Sequence, residues 1–266
     1  MPLYTDQIGR TIELKQPPQR IISLVPSQTE LLFDLDLEKE VIGITKFCVH
    51  PQNWFRTKTR IGGTKQLHLD RIKQLNPDLI LANKEENVKE QIEELTKAFP
   101  VWVSDVNTLP EALSMIESIG SMCNRQAQAQ HMIHQIQSSF SQLAPTTPQA
   151  RACYLIWKDP YMTIGGDTFI HDMLDRAGFE NVFAQKTRYP ETGVAELHDL
   201  HCELLLLSSE PYPFRQKHIA ELQKELPSTK IVLVDGEMFS WYGSRLLQAP
   251  FYFQQLQQQI QALSLF

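Results

Sequence analysis

Two rhythms of apolar and polar residues alternate through the first hundred positions. Short apolar runs end in turn residues: "RIISLV" before Pro26-Ser27, "VIGIT" before "KFCVHP", "PDLILA", and "PVWVSD". Between them lie stretches with helical spacing. Leu31, Leu32 and Leu35 share one face after Ser27, and Ser27 with Glu30 three residues on predicts a capping box. Val88, Ile92 and Leu95 likewise line one side of "NKEENVKEQIEELTKAF". Strand alternating with helix predicts an α/β fold with a parallel sheet flanked by helices.

The pattern changes from Arg125 to Ala144. Ala129, Met132, Ile133, Ile136, Phe140 and Leu143 fall on one continuous stripe, with Gln, His and Ser opposite. Such a helix would run about 30 Å, and "PTTP" ends it. The first rhythm then returns. "ACYLIW" predicts a strand and "GDTFIHDMLDRAGF" a helix ending near Gly178. "CELLLLSSE" echoes "NPDLILANKE", and "KIVLVDGE" echoes "FPVWVSDV". The chain therefore divides into an N-terminal α/β lobe over 1–124, a backbone linking helix over 125–145, and a C-terminal α/β lobe over 146–266. This is a weak internal duplication, with a central parallel sheet expected in each lobe.

Parallel sheets place functional loops beyond the carboxyl ends of their strands. Two lobes on one rigid helix would turn those loops toward a common cleft. In the first lobe the loops hold Ser27-Gln28, "FCVHP" (Phe47, Cys48, His50) and "NKEEN". In the second they hold Trp157, Tyr161, Arg188, Tyr189, Tyr212, Phe214, Phe239, Trp241, Tyr242 and Arg245. Aromatic residues are 9% of the chain, and core packing does not require this concentration of rings in loops. They fit either a surface for a large flat ligand or packing beneath long loops. Arg188 and Arg245 would suit carboxylates or amide oxygens.

Composition narrows the choice of function. A net charge of −6 without a basic stripe argues against a nucleic-acid partner. No apolar run is long enough to span a bilayer. The first twenty residues lack a secretory pattern, which would make the protein cytoplasmic if Met1 is the native start. Cys48, Cys123, Cys153 and Cys202 form no CxxC pair and are expected to be small buried side chains. No phosphate loop or nucleophile elbow occurs, so an enzyme is not expected. His131 with His134, and His198, His201 and Cys202, have metal-like spacing. The first pair falls on a polar helix face and the second group at the amino end of a strand, so both are expected to be surface or boundary residues.

"RIISLVPSQTELLFDLDL", "VIGIT", "NPDLILA", the long helix and "MTIGGDTFIHDMLDRAGFENVF" together resemble the class III periplasmic binding proteins. These are the helical-backbone metal-chelate receptors of ABC importers, and the likeness is greatest to the vitamin B12-binding branch. The resemblance covers nearly the whole chain. It implies a substrate-binding protein, expected to be monomeric and periplasmic, holding a metal chelate between its lobes for transport. The ligand would be a cobalamin-like corrinoid, an iron siderophore or haem, with no catalytic cofactor. The resemblance also implies docking on an ABC permease through one acid per lobe. In the first lobe this is Glu90, although some registers land on Lys89. In the second, Ala195 stands five positions after Pro190, and Glu196 follows it. Where B12-binding members carry a tyrosine before the loop proline, this chain has His50, which could pack on a macrocycle or serve as an axial ligand. The alternatives are a cytosolic corrinoid- or metal-cofactor-handling protein, and a receptor for a free divalent metal ion using His50, Cys48, Glu85, Glu86, Glu210 and Glu237. The sequence leaves open whether Cys48 or His50 faces the ligand.

Overall fold

The computed structural model describes residues 2–143 and 150–262. The expected "PTTP" breaker, the end of the expected linking helix and the boundary at 145/146 lie outside them. The chain forms two compact units and crosses between them repeatedly. The first comprises Met1–Val106, Pro110–Gln135 and Tyr242–Arg245; the second comprises Asn107–Leu109, Ile136–Trp241 and Leu246–Phe266.

The first unit opens with an antiparallel pair, β1 (Leu3–Thr5) and β2 (Thr11–Glu13). Its main elements are β3 (Ile21–Ser23), α1 (Pro26–Asp34), β4 (Val41–Ile44), α2 (Gln52–Thr57), β5 (Thr59–Arg60), α3 (Leu69–Leu75), β6 (Leu79–Asn83), α4 (Lys89–Thr96) and β7 (Val101–Ser104). The five strands β3 to β7 pair in parallel in the order β5-β4-β3-β6-β7. Central strands with both faces covered need apolar residues throughout. Accordingly every residue of β3 and β6 is buried.

Leu31, Leu32 and Leu35 are fully buried, as their spacing requires. The expected capping box is not formed. Pro26 occupies the first turn, Val25 is the N-cap without a side-chain hydrogen bond, and Ser27 is already inside the helix. Proline at this position has its φ pre-set for helix, and Glu30 has a different partner, described below.

A helix that the sequence pattern did not reveal, α5 (Leu109–Met122), precedes the expected one. Its apolar positions cover a wide face, blurring the period: Ala112, Met115, Ile116 and Ile119 are all fully buried. Asn124, in the left-handed region at φ 55°, turns the chain into α6 (Gln126–Ser141). A Cβ at Gly120 would lie 2.4 Å from the Ala129 side chain, so glycine is required for this close approach. Of the expected α6 stripe Ala129, Met132, Ile136 and Phe140 are buried, Ile133 and Leu143 are half-buried, and the helix ends at Ser141, before Leu143. His131 and His134 are exposed. Within this helix, between Gln135 and Ile136, the chain passes from the first unit to the second.

The second unit contains β8 (Ala150–Leu155), α7 (Phe169–Arg176), β9 (Phe179–Asn181), α8 (Val194–Asp199), β10 (Leu204–Ser208), α9 (Gln216–Glu225), β11 (Lys230–Val234), α10 (Glu237–Ser240) and α11 (Ala249–Ala262). Its strands are also parallel, in the order β11-β10-β8-β9. The Thr168 hydroxyl caps α7 by accepting from the His171 amide at 3.3 Å. Gly178, just past the helix, takes φ 81°, where glycine escapes the Cβ penalty. Phe253 of α11 packs against Phe239 and Phe140, with ring centroids 4.8 and 6.4 Å away. Among the described residues, no helix is long and apolar enough to cross a membrane.

Candidate functional site

At the carboxyl ends of the first unit's strands, the turn after β4 divides its side chains between core and solvent. Cys48 is fully buried, its sulfur 3.0 Å from Thr29 Oγ1 and 3.1 Å from Thr45 Oγ1. Burial pushes its thiol pKa up, so Cys48 anchors the turn and offers no thiolate to solvent. Phe47 and Val49, on either side, are exposed. The Lys46 ammonium lies 5.1 Å from the Phe47 ring centroid. His50 is half-buried.

The loop after β6 is organised by two asparagines. Asn83 Oδ1 accepts from the amides of Glu85 and Glu86 at 2.8 and 3.0 Å, and Asn87 Oδ1 accepts from the Asn83 amide at 2.8 Å. Such side-chain turns fix a loop without a strand ladder. Glu86 is thereby placed to accept from the Tyr242 hydroxyl at 2.8 Å. Tyr242 belongs to the short segment Tyr242–Arg245, which packs in this unit although it comes from the last tenth of the chain. Gly243 lies against α1, where a Cβ would come within 2.6 Å of the Ser27 carbonyl oxygen. Arg245 makes a two-pronged contact with Glu30, its Nε and NH2 donating at 3.0 and 2.7 Å. Burial raises the Glu30 carboxyl pKa, and the guanidinium partly reverses that rise. Sequence order places Tyr242 and Arg245 among the second lobe's ligand-facing loops. The structure buries both in the first unit, each bonded to a glutamate.

The second unit's strand-end face carries the rings. Beyond β8, Trp157 is 42% exposed and meets Tyr212 edge-on at 5.7 Å. Tyr189 is also exposed, and Tyr161 is half-buried against the core. Phe214 is buried in that core and packs on Tyr212 at 4.7 Å. Beyond β10, Glu210 is largely enclosed. One of its carboxylate oxygens accepts from the Ser240 hydroxyl at 2.6 Å and from Trp241 Nε1 at 3.0 Å. Burial raises the Glu210 pKa despite these donors. Trp241 is thus a buried partner of Glu210. Arg188, with φ 58°, pairs with Asp167: its amide donates at 2.5 Å and its Nε lies 3.4 Å away.

Phe47, Trp157 and Tyr189 therefore stand open to solvent at strand ends, while Cys48, Phe214, Trp241, Tyr242 and Arg245 are buried. Burial removes these five from a solvent-facing surface for a physical reason: each has a bonded or packed partner in its own unit. Sequence reasoning missed Glu30, assigned to a capping box, and His218, treated below. The i+3 spacing of Ser27 and Glu30 was a true signal of helix start, but carried no information about Arg245. Among the described residues, no three His, Cys, Asp or Glu side chains are grouped to hold a bare metal ion. His198 and His201 are exposed and Cys202 is buried, at the amino end of β10.

Residues 21–226 match the family described as periplasmic binding protein. A vitamin B12-binding protein of Pectobacterium carotovorum subsp. carotovorum (strain PC1) is 24% identical over 257 residues, covering 93% of this chain and 90% of the relative. Among solved structures, the periplasmic vitamin B12 binding protein BtuF of Vibrio cholerae superposes with a TM-score of 0.76 at 20% identity, covering 91% of this chain and 98% of that one. The periplasmic heme binding protein HutB of Vibrio cholerae gives 0.77 at 18% identity, covering 90% and 98%. At these identities the structural likeness is one of fold. The family match spans well over half of the sequence, and the chain belongs to the periplasmic binding protein family.

Proposed function

We propose that this protein binds a metal chelate at its strand-end loops for ABC-type transport, and performs no chemistry on it. The observation that carries this is the exposure of Trp157 and Tyr189 in the second unit and of Phe47 in the first, all in strand-end loops. Large rings that keep an exposed face in loops suit stacking against a flat ligand.

The pairing of the two arginines expected at the ligand, with Lys46 beside Phe47 as a remaining nearby cation, supports a corrinoid. Haem and many ferric siderophores are anionic, and their carboxylates need cationic partners. Here Arg245 is committed to Glu30 and Arg188 to Asp167. A chelate rimmed with neutral amides, such as cobalamin, makes no such demand. The relatives named as vitamin B12-binding proteins support the same choice. His50, half-buried beside exposed Val49, would pack on the chelate or supply an axial nitrogen. Glu90 is exposed in the first turn of α4. Glu196, in the first turn of α8, accepts from the Thr192 hydroxyl at 3.1 Å. We assign both to permease docking in the periplasm.

Equilibrium dialysis against cyanocobalamin, hemin and a ferric hydroxamate tests the proposal. Saturable binding of cyanocobalamin in preference to the other two is expected. Absence of binding by all three at about millimolar concentration, a regime weaker than any transport receptor needs, would overturn it.

A further inference from the structure

A buried imidazole packs on Tyr212 and Phe214 in the second unit. His218, in the first turn of α9, is 3% exposed. Its Nδ1 accepts from the Arg215 amide at 2.9 Å, and its Nε2 lies 3.4 Å from the Tyr212 hydroxyl. The ring meets Phe214 edge-on at 5.4 Å and Tyr212 at 5.6 Å. Tyr212 in turn is tied to the β8 end, its amide donating to the Ile156 carbonyl at 3.3 Å. Its ring supports Trp157 edge-on at 5.7 Å. An unbroken series of contacts thus runs from His218 through Tyr212 to Trp157.

The hydrogen bonding fixes the tautomer. Because Nδ1 accepts a backbone proton, the neutral ring carries its own proton on Nε2, aimed at the tyrosine oxygen. A second proton would have to go on Nδ1, against the Arg215 N–H, and would break the link between the 209–215 loop and α9. The surrounding charges oppose that proton on balance. Lys158, Lys217 and Arg215 repel it, and Glu221 attracts it while itself paired with Lys158 at 2.7 Å. Burial and these cations hold the imidazole pKa below its ordinary value.

We infer that His218 is a positioning residue: in its neutral form it locks Tyr212, and through it the orientation of the Trp157 ring on which the chelate stacks. Protonation of His218 on Nδ1 breaks the bond from the Arg215 amide and so loosens the loop that carries Tyr212, while the Nε2–H contact to the Tyr212 hydroxyl is kept. The assignment of a chelate to Trp157 rests on the function proposed above; the mechanical coupling of His218 to Trp157 does not.

The test uses the full chain labelled with 5-fluorotryptophan, the Trp157 fluorine resonance being assigned from Trp157→Phe. Lowering the pH from about 7.5 to about 5, across the imidazole range, is expected to move that resonance. The movement should vanish in His218→Asn, whose amide oxygen still accepts from the Arg215 N–H but does not titrate. Cyanocobalamin affinity is expected to fall about tenfold over the same pH range in the unsubstituted protein, the scale of one lost anchor contact, and to stay level in His218→Asn. A Trp157 resonance that ignores pH, or that moves equally in His218→Asn, overturns the role of His218. A pH-sensitive resonance without cyanocobalamin binding upholds that role and overturns the chelate reading instead.

Discussion

The two units share a strand plan but differ in how they finish the end of their first central strand. In the first, β3 is flanked by β4 on one side, and the chain then adds β6 and β7 on the other. In the second, β8 is flanked by β9, with β10 and β11 added in the same way. Among the described residues, the first unit alone adds an edge strand, β5. Beyond β3 the chain turns directly into α1, and the neighbouring space is taken by Tyr242–Arg245, bonded through Glu30 and Glu86. Beyond β8, residues 156–168 intervene before α7 and bring Trp157 into solvent. Past its first central strand one unit is closed by the Arg245–Glu30 pair and the other presents Trp157, while Phe47 of the first unit stays exposed past β4. The space past the first strand can thus hold either a buried ion pair or an exposed ring.

Breaking the charge closure should have the largest effect. Arg245→Ala leaves Glu30 enclosed without its guanidinium, which should cost about 3 kcal/mol in denaturant unfolding. Arg188→Ala removes an exposed pair and should change stability by less than about 1 kcal/mol. Equal losses in the two variants would erase the distinction drawn between the faces.

Ring truncation should have the opposite profile. Trp157→Ala should weaken cyanocobalamin binding about tenfold or more while leaving the unfolding midpoint nearly unchanged, because the side chain is 42% exposed. Trp241→Ala should instead destabilise, since it removes a donor to enclosed Glu210. Titration and thermal melts on the same two samples separate the outcomes.

Helix starts offer a smaller contrast. Thr168→Ala removes the cap of α7 and should cost about 1 kcal/mol. The N-cap of α1 is Val25, which makes no side-chain bond, so Val25→Thr should bring no loss of a cap.

The smallest effect is one of pH. Burial raises the Glu210 pKa in the folded protein above its unfolded value. The native state then holds this proton more tightly than the unfolded chain. Stability from this group is therefore fully present below the unfolded pKa and is lost as pH rises through the folded one. Glu210→Gln should flatten that decline, raising the melting temperature near about pH 7.5 relative to its effect near about pH 4. A variant equally displaced at both pH values would show that Glu210 does not titrate with folding.

Much of the fold was legible because local period reports burial directly. The runs at Ile21, Val41, Leu79, Val101, Ala152, Leu204 and Lys230 all lie in parallel strands, since a strand covered on both faces must be apolar throughout. The α6 stripe was equally readable from its 3.6-residue recurrence. The helix α5 was not, because its wide buried face hides the period, and Gly120, poor in helix propensity, is there for a close approach to Ala129.

The candidate site was legible only in part. Phe47, Trp157 and Tyr189 could be placed at strand ends from sequence order, and they are exposed there. Tyr242, Arg245 and Trp241 looked the same in sequence, but tertiary partners bury them. Sequence by itself determined the alternation of strands and helices, the repeat of the strand plan and the loops that carry aromatic rings. These depend on hydrophobic period and turn chemistry within a few residues of each other. Tertiary structure alone decided which of those rings and charges remain open. An ion pair such as Glu30 with Arg245 joins positions 215 residues apart, and no local pattern can specify which distant carboxylate a guanidinium will meet.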